Sequence, residues 1–245
     1  MSIDIRPLSD RDDLKTVVKL QRQIWGFEDV DLIPLRLFVV ASKIGGQVYG
    51  AFDGSRLIGF CMAIPGLKPG GKTYLHSHML GVLPEYRNAH VGRKLKLAQR
   101  DDALARGIEL IEWTFDPLEI KNAFFNMERL GAIVRRYVPN QYGTTSSPLH
   151  GGLPTDRCIA EWWIASPRVQ AILAGQRFER PPVEMRIAIP SEIAALRANE
   201  PARAREIQQN ACDQFRRAFE RGLAVIGYEK SEQAGTYLIG KWESA

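Results

Sequence analysis

The chain has 245 residues, of which 45% are hydrophobic, and its 33 Lys and Arg against 28 Asp and Glu give a net charge of +5. This length can hold one large or two small domains with a buried core. The positive excess suits a polyanionic ligand and is too small by itself to indicate nucleic-acid binding. No apolar run approaches the ~20 residues that cross a bilayer, so we expect no membrane partner.

The three cysteines, Cys61, Cys158 and Cys212, are far apart and odd in number. This spacing favours neither a disulfide framework nor a metal cluster, and we expect no metal site. The first residues are charged and lack the apolar region of a signal peptide. The sequence therefore predicts a cytoplasmic protein.

Strand-like and helix-like segments alternate along the first part of the chain, which favours a mixed α/β sheet. Asp10 is a predicted N-cap, and Val17, Leu20 and Ile24 recur at helical steps on one face. Asp53-Gly54 predicts a tight hairpin turn. The predicted elements are a strand (3–8), a helix (10–24), a helix (34–42), a hairpin (47–52 and 57–64) and a loop (65–72).

Residues 74–92 form the most informative segment. They predict an apolar strand, a Pro-Glu turn and a short basic loop that leads into an amphipathic helix. The free N–H groups of a helix's first turn and the positive end of its dipole favour an anion at such a loop. We therefore expect the ligand to carry phosphates.

The helix after this loop is predicted to end at Gly107, a C-terminal glycine cap. The following segments repeat the alternation of strands and helices. They are a strand (108–115), a break at Asp116-Pro117, a helix (120–130), a strand through Tyr137, a long loop (140–156) and a strand (157–165).

Ser166-Pro167 is the predicted boundary of a smaller C-terminal α+β extension. Ser191 is the predicted N-cap of a long helix that Pro201 interrupts. We assign residues 1–166 to the main domain and residues 167–245 to the extension. The predicted elements of the extension are a helix (168–174), a strand (185–189), the long helix to residue 221 and a hairpin (223–228 and 235–242).

Three motifs within residues 74–92 resemble the acyl-CoA-binding signature of the GNAT N-acyltransferase superfamily: Leu80-Gly81-Val82, Pro84-Glu85-Tyr86-Arg87 and Val91-Gly92-Arg93. The resemblance covers residues 3–165 and implies the GNAT fold, with acetyl-CoA or another acyl-CoA as cofactor. It implies that strand residues Leu80, Gly81 and Val82 hold the pantetheine and that loop amides wrap the pyrophosphate. The implied loop residues are Arg87, Asn88, Ala89, His90, Val91, Gly92 and Arg93, with His90 where the family's middle glycine usually stands.

The second conserved half of the GNAT fold also has a counterpart. The resemblance places Asn122 and Asn126 at helix positions that often face the pantetheine arm. Many members have a tyrosine that protonates the CoA thiolate, and its position here holds Met127. Tyr137, Tyr142 and water are the alternative proton donors.

Two residues are candidates for the general base that deprotonates the acceptor. His76 and His78 lie two residues apart on one face of the strand, and His78 is nearer the thioester end. Histidine titrates in the range that a base needs, although a buried structural histidine is the alternative. Glu112 lies among apolar neighbours, so it either pairs with an arginine or exchanges a proton.

Several basic residues have two interpretations each. The side chains of Arg87, Arg93, Lys94 and Lys96 either add charge around the phosphates or are solvated at the surface. Arg135-Arg136 suits an acidic acceptor, and the alternative is an ordinary alternating strand with one arginine in solvent.

The residues and the resemblance together predict an acyl-CoA-dependent N-acyltransferase. Its acyl group is acetyl or a larger acid such as succinyl, and its acceptor is the amine of a small molecule such as an amino acid, which attacks the thioester directly. No cysteine lies in the cofactor strand or loop, which disfavours a cysteine nucleophile. The alternative is a non-catalytic acyl-CoA-binding or sensor protein. We expect no nucleic-acid partner, and a homodimer is a further hypothesis.

Overall fold

The computed structural model describes residues 3–143 and 152–242. These residues form two compact units, which divide inside one strand, between Glu112 and Trp113. Neither described range contains a helix that is long and apolar enough to cross a membrane.

The first unit confirms the predicted mixed sheet. The strand order is β1-β2-β3-β4-β5, antiparallel from β1 to β4, and β5 runs parallel to β4. The elements are β1 (Ile3–Pro7), α1 (Arg11–Trp25), α2 (Leu35–Lys43), β2 (Gln47–Asp53), β3 (Arg56–Leu67), β4 (Thr73–Val82), α3 (Val91–Ala105) and β5 (Leu110–Phe115), whose last three residues belong to the second unit.

Helix α1 begins and packs as its sequence predicts. The Asp10 carboxylate accepts hydrogen bonds from the N–H groups of Asp12 and Asp13, at 2.8 and 3.3 Å, which confirms the N-cap. The predicted face of α1 lies in the core of the unit, as its buried Val17 and Leu20 demonstrate. Gly107, at φ +70°, ends the segment after α3 in the left-handed conformation expected of a glycine cap.

The predicted loop 65–72 is largely wrong, because β3 continues through Pro65 to Leu67. Pro65 lies opposite Leu75 and Gly66 opposite Tyr74 in the β3–β4 register. The connection shrinks to a turn in which the Lys68 N–H donates to the carbonyl of Lys72. Proline and glycine mark a break in the sequence, but pairing along the whole of β4 overrides that preference.

In the second unit, the strands of the C-terminal extension continue the sheet that β5, β7 and β6 form. Strand β9 pairs antiparallel with β6 at Val134 and Val225, and the order is β5-β7-β6-β9-β10-β8. The elements are α4 (Ile120–Phe124) with a π-helical turn (Phe125–Arg129), β6 (Ile133–Val138), β7 (Arg157–Trp163), α5 (Pro167–Leu173), β8 (Met185–Pro190), α6 (Ile193–Asn199), α7 (Pro201–Glu220), β9 (Leu223–Lys230) and β10 (Ala234–Lys241).

An aromatic cluster forms the core of this unit beneath α7. The Phe215 ring of α7 stacks on Tyr137 at 5.5 Å and meets Tyr237 edge-on at 5.0 Å between centroids. Tyr237 in turn contacts Tyr228 at 4.7 Å. Strands β6, β9 and β10 therefore share one core with the helix of the extension.

The predicted helix start at Ser191 is wrong, and the predicted break at Pro201 is confirmed. Ser191 is not a helix N-cap, because its N–H donates to the carbonyl of Gln233 and Glu192 precedes α6 without a side-chain cap. Pro201 does separate two helices and occupies the first turn of α7.

Of the predicted loop 140–156, residues 144–151 lie outside the described residues. Both sides of Ser166-Pro167 lie in one compact unit, and the 1–166 and 167–245 assignment stays a prediction.

Candidate functional site

The loop before α3 has an unusual backbone. Asn88 (φ +68°) and His90 (φ +59°) both adopt the left-handed conformation, which non-glycine residues seldom enter. Asn and His are among the non-glycine residues that enter it most often. His90 therefore takes the conformation that a glycine at its position would take. The loop residues from Arg87 to His90 are exposed.

The start of α3 has no side-chain cap. His90 is the N-cap residue and makes no capping hydrogen bond, and the first turn carries no acidic residue. The backbone N–H groups at a helix start have no intrahelical acceptor. Together with the positive end of the helix dipole, they form an arrangement that favours an anion.

The two predicted glycines, Gly92 and Gly81, have different surroundings. A Cβ added at Gly92 would have only Leu80 Cδ2 nearby, at 3.4 Å, so the folded chain leaves space there. A Cβ added at Gly81 would lie 2.6 Å from Cη2 of Trp25, so helix packing alone requires this glycine. Packing within the folded chain therefore explains the glycine at position 81. It does not explain the glycine at position 92, where the free space could admit a ligand.

Strand β4 contains a β-bulge about halfway along its length, before the strand reaches the loop that precedes α3. In the β3–β4 register Ser77 lies opposite Ala63 and Met79 opposite Met62, which leaves His78 as the extra residue. A bulge disrupts the ladder and leaves its extra residue unpaired. Leu80 and Val82 lie beyond it, half-buried, on the way to the loop.

The His78 side chain is half-buried, and its ring lies 6.0 Å from that of His76 between centroids. Burial lowers the pKa of His78 below its usual value. The imidazole is therefore neutral at pH 7 and able to accept a proton. It makes no hydrogen bond with any residue in the described part of the chain.

Glu112 is buried and forms an ion pair, as one of its two predictions held, but the partner is a lysine and not the expected arginine. Its two carboxylate oxygens accept hydrogen bonds from Lys68 Nζ at 2.8 and 2.7 Å. Lys68 also lies over the Tyr74 ring, 4.4 Å from its centroid. Glu112 lies opposite His76 in the parallel β4–β5 register. The sequence offered no signal for Lys68, because it lies in what reads as a loop.

Lys96 does not lie in solvent, as Lys94 does, but is 3% exposed inside the first unit. Its Nζ donates to Ser77 Oγ at 2.8 Å, and Ser77 donates to Gln99 Oε1 at 2.9 Å. Burial lowers the pKa of Lys96 to about 7. Neither a surface role nor a phosphate contact fits this environment. A lysine on a helix reads as solvent-exposed by default, so the sequence missed this contact with β4.

In the second unit, Asn126 is 1% exposed, and its Nδ2 has no acceptor among the described residues. Asn122 is exposed one turn earlier. The helix carrying them changes from α to π geometry at Phe125. Such π turns occur frequently at functional sites. Met127 is fully buried, so the position of the family's tyrosine is filled by a core side chain.

The two alternative tyrosines differ in environment. Tyr137 donates to Asp156 Oδ2 at 2.6 Å. Burial, followed by this hydrogen bond, raises the pKa of Tyr137 well above its ordinary value, which makes it a poor proton donor. Tyr142 is 47% exposed, and its hydroxyl lies 3.0 Å from Thr114 Oγ1.

Arg135 and Arg136 share one partner. A register shift between Val134 and Arg136 makes Arg135 the extra residue of a bulge, which breaks the alternation of a regular strand. Arg135 approaches buried Glu161 to 2.5 Å and Arg136 to 3.7 Å, while about 40% of each arginine side chain stays exposed. One carboxylate therefore faces two half-exposed guanidinium groups.

Comparisons with known proteins find a family model that matches part of the chain. The model of the Acetyltransferase (GNAT) family matches residues 15–131. No curated protein matches the chain.

Solved structures share the fold at low sequence identity. Arabidopsis thaliana NAA60 in complex with acetyl-CoA is 18% identical with a TM-score of 0.55, covering 67% of this chain and 100% of its own. The ribosomal-protein-S18-alanine N-acetyltransferase from Escherichia coli is 16% identical with a TM-score of 0.52, covering 67% and 96%. An aminoglycoside 6'-acetyltransferase type Ii is 22% identical with a TM-score of 0.52, covering 66% and 98%.

Proposed function

We propose that this chain, whose residues 15–131 match the model of the Acetyltransferase (GNAT) family, transfers an acyl group, acetyl in the first instance, from CoA to the amine of a small molecule. The observation that carries the proposal is the loop from Arg87 to Gly92. It combines two left-handed residues, an uncapped helix start and an open glycine next to a bulged strand.

The residues present fit acyl-CoA. Backbone amides between Asn88 and Arg93 would hold its phosphates, although that of Ala89 donates to the Tyr86 carbonyl at 3.4 Å. The half-buried Leu80 and Val82 would hold its pantetheine through strand backbone groups. Bound acyl-CoA supplies an activated thioester. Asn126, which the family resemblance assigns to the pantetheine arm, has a buried Nδ2 donor without an acceptor among the described residues.

The chain's own residues would prepare the acceptor amine and the thioester carbonyl. Neutral His78 would take the proton of the amine, because burial keeps its pKa low and its ring has no competing hydrogen bond among the described residues. Glu112 is the second candidate, and its pairing with Lys68 makes it the weaker one. The backbone N–H of His78 at the bulge would polarise the carbonyl, as a small oxyanion site does.

The neighbouring structures include enzymes named for protein and for aminoglycoside acceptors. We favour a small molecule with an acidic group, because Arg135 and Arg136 present two half-exposed guanidinium groups side by side, which suits a carboxylate. Acetyl and succinyl remain the acyl candidates. The cytoplasm is the proposed compartment, since the three cysteines are free and buried thiols.

Thermal unfolding with acetyl-CoA, succinyl-CoA, free CoA and NAD tests the cofactor. A ligand at about 100 times its Kd stabilises the fold by about 2.7 kcal/mol, a readily visible shift. We expect stabilisation by the CoA species and none by NAD; equal responses to all four, or to none, would refute the proposal. Release of free CoA thiol over a panel of amino acids and polyamines then tests transfer. Binding without turnover on any amine would favour the acyl-CoA sensor.

A further inference from the structure

A buried polar network lies behind the bulge of β4. Lys96 of α3 donates to the Ser77 hydroxyl, and that hydroxyl donates to the side chain of Gln99 one turn further along α3. The backbone carbonyl of Gln99 accepts from Gln47 Nε2 at 2.8 Å. Ser77 precedes His78, the extra residue of the bulge. The Ser77 hydroxyl both accepts and donates, so its orientation is fixed.

Stability alone does not account for a lysine at this position. Lys96, Ser77 and Gln99 are all at most 4% exposed. Burying an amine that is charged in water costs free energy, and an apolar side chain of similar length would fill the same space without that cost. The network is therefore retained for something other than packing.

We propose that Lys96 and Ser77 form a positioning pair that fixes the bulge of β4, so that the backbone N–H at His78 points toward the thioester carbonyl. This inference rests on the proposed acyl-CoA function. Lys96 acts through Ser77 and touches neither substrate nor reacting atoms. It lies in the helix that begins at the phosphate loop and contacts the strand that carries the bulge, so one helix orients both parts.

The role has a specific kinetic signature. A backbone donor aimed at the carbonyl acts mainly in the transition state, so loosening it lowers kcat and leaves CoA affinity nearly unchanged. Misplacement by about 1 Å can cost as much as 100-fold in rate. For Lys96→Met and for Ser77→Ala we expect kcat to fall about tenfold or more, with the Kd of acetyl-CoA within about twofold of the wild type.

Isotope-edited infrared spectroscopy of bound acetyl-CoA labelled with ¹³C at the thioester carbonyl tests the proposal without an acceptor. A hydrogen bond to the carbonyl lowers its stretching frequency. We expect the wild-type complex to absorb below free acetyl-CoA and both variants to move back toward the free value. Lys241→Met, which removes an exposed lysine at the end of β10, is the matched control and should keep the wild-type frequency.

The outcomes separate the inference from the function. If both variants keep the wild-type carbonyl frequency and the wild-type kcat, the positioning role is overturned, even if their melting temperatures fall. If Lys96→Met does not fold, Ser77→Ala decides alone, because it keeps the lysine and deletes only its acceptor. A wild-type protein that does not bind acetyl-CoA would overturn both proposals. A carbonyl frequency that is lowered in the wild type and moves back in both variants, without transfer to any amine, would overturn the transferase function and support the positioning pair.

Discussion

Replacing Lys96 by methionine should change how the stability of the protein depends on pH. Burial lowers the pKa of Lys96 from 10.5 to about 7 in the folded state. Below pH 7 the lysine is charged in both states, so the cost of burying the charge is present in full. Above pH 7 the folded protein releases the proton that the unfolded chain still holds, and stability rises with pH.

The size of the effect follows from proton linkage. One proton bound by the unfolded state and not by the folded state gives a slope of about 1.4 kcal/mol per pH unit. Between pH 7 and pH 9 the gain is about 2 kcal/mol, because the group is half titrated at the lower limit. Above this window the buried thiol of Cys61, whose pKa is raised from 9.0 to about 12, opposes further stabilisation.

Urea unfolding followed by tryptophan fluorescence at pH 7, 8 and 9 measures this gain. We expect the free energy of unfolding to rise by about 2 kcal/mol for the wild type and to stay nearly flat for Lys96→Met. Loss of the hydrogen bond to Ser77 adds a constant offset and leaves the slope unaffected. Parallel curves for the two proteins would refute the reasoning, and exposed Lys241→Met should follow the wild type.

Three further predictions concern the loop, the base and the extension. Gly92→Ala should keep the melting temperature within a few degrees, since a Cβ has room there, yet weaken CoA binding at least tenfold, as isothermal titration calorimetry will report. His78→Gln should lower kcat about 100-fold or more, and the wild-type rate should fall only at a pH below the ordinary titration range of histidine, because burial lowers the pKa of His78. A larger loss in Glu112→Gln would reverse the assignment. Arg197→Met should destabilise the second unit by about 3 kcal/mol, because its guanidinium is buried between two carboxylates, whereas exposed Arg203→Met should cost under about 1 kcal/mol in the same thermal melts.

The sequence predicted the elements whose signals are local. Asp10 caps α1 through its own side chain, and Gly107 closes the segment after α3 through its own backbone freedom. The loop that begins at Arg87 was found because a strand, a turn and a helix start follow one another within twenty residues. Each of these features is decided by neighbours in the chain.

The misses depend on partners far away in the sequence. Pro65 remains in a strand because β4 pairs with it, and Ser191 caps no helix because Gln233 takes its N–H. The partner of Glu112 is Lys68, 44 residues away, and Lys96 is buried against Ser77, 19 residues away. Periodicity and turn chemistry carry no information about such contacts.

The structure bears on the sensor alternative through the two departures from the family pattern that favoured it. His90 adopts the left-handed conformation expected of the missing glycine, so this substitution leaves the backbone able to present its N–H groups. Because the loop would hold phosphates through backbone groups, the identity of an exposed side chain there matters little. Met127 remains a real departure, since it is buried and cannot give up a proton. An enzyme of this design must protonate its leaving thiolate from water or from a group such as Tyr142, so loss of the family's acid argues for a different proton route and not against catalysis.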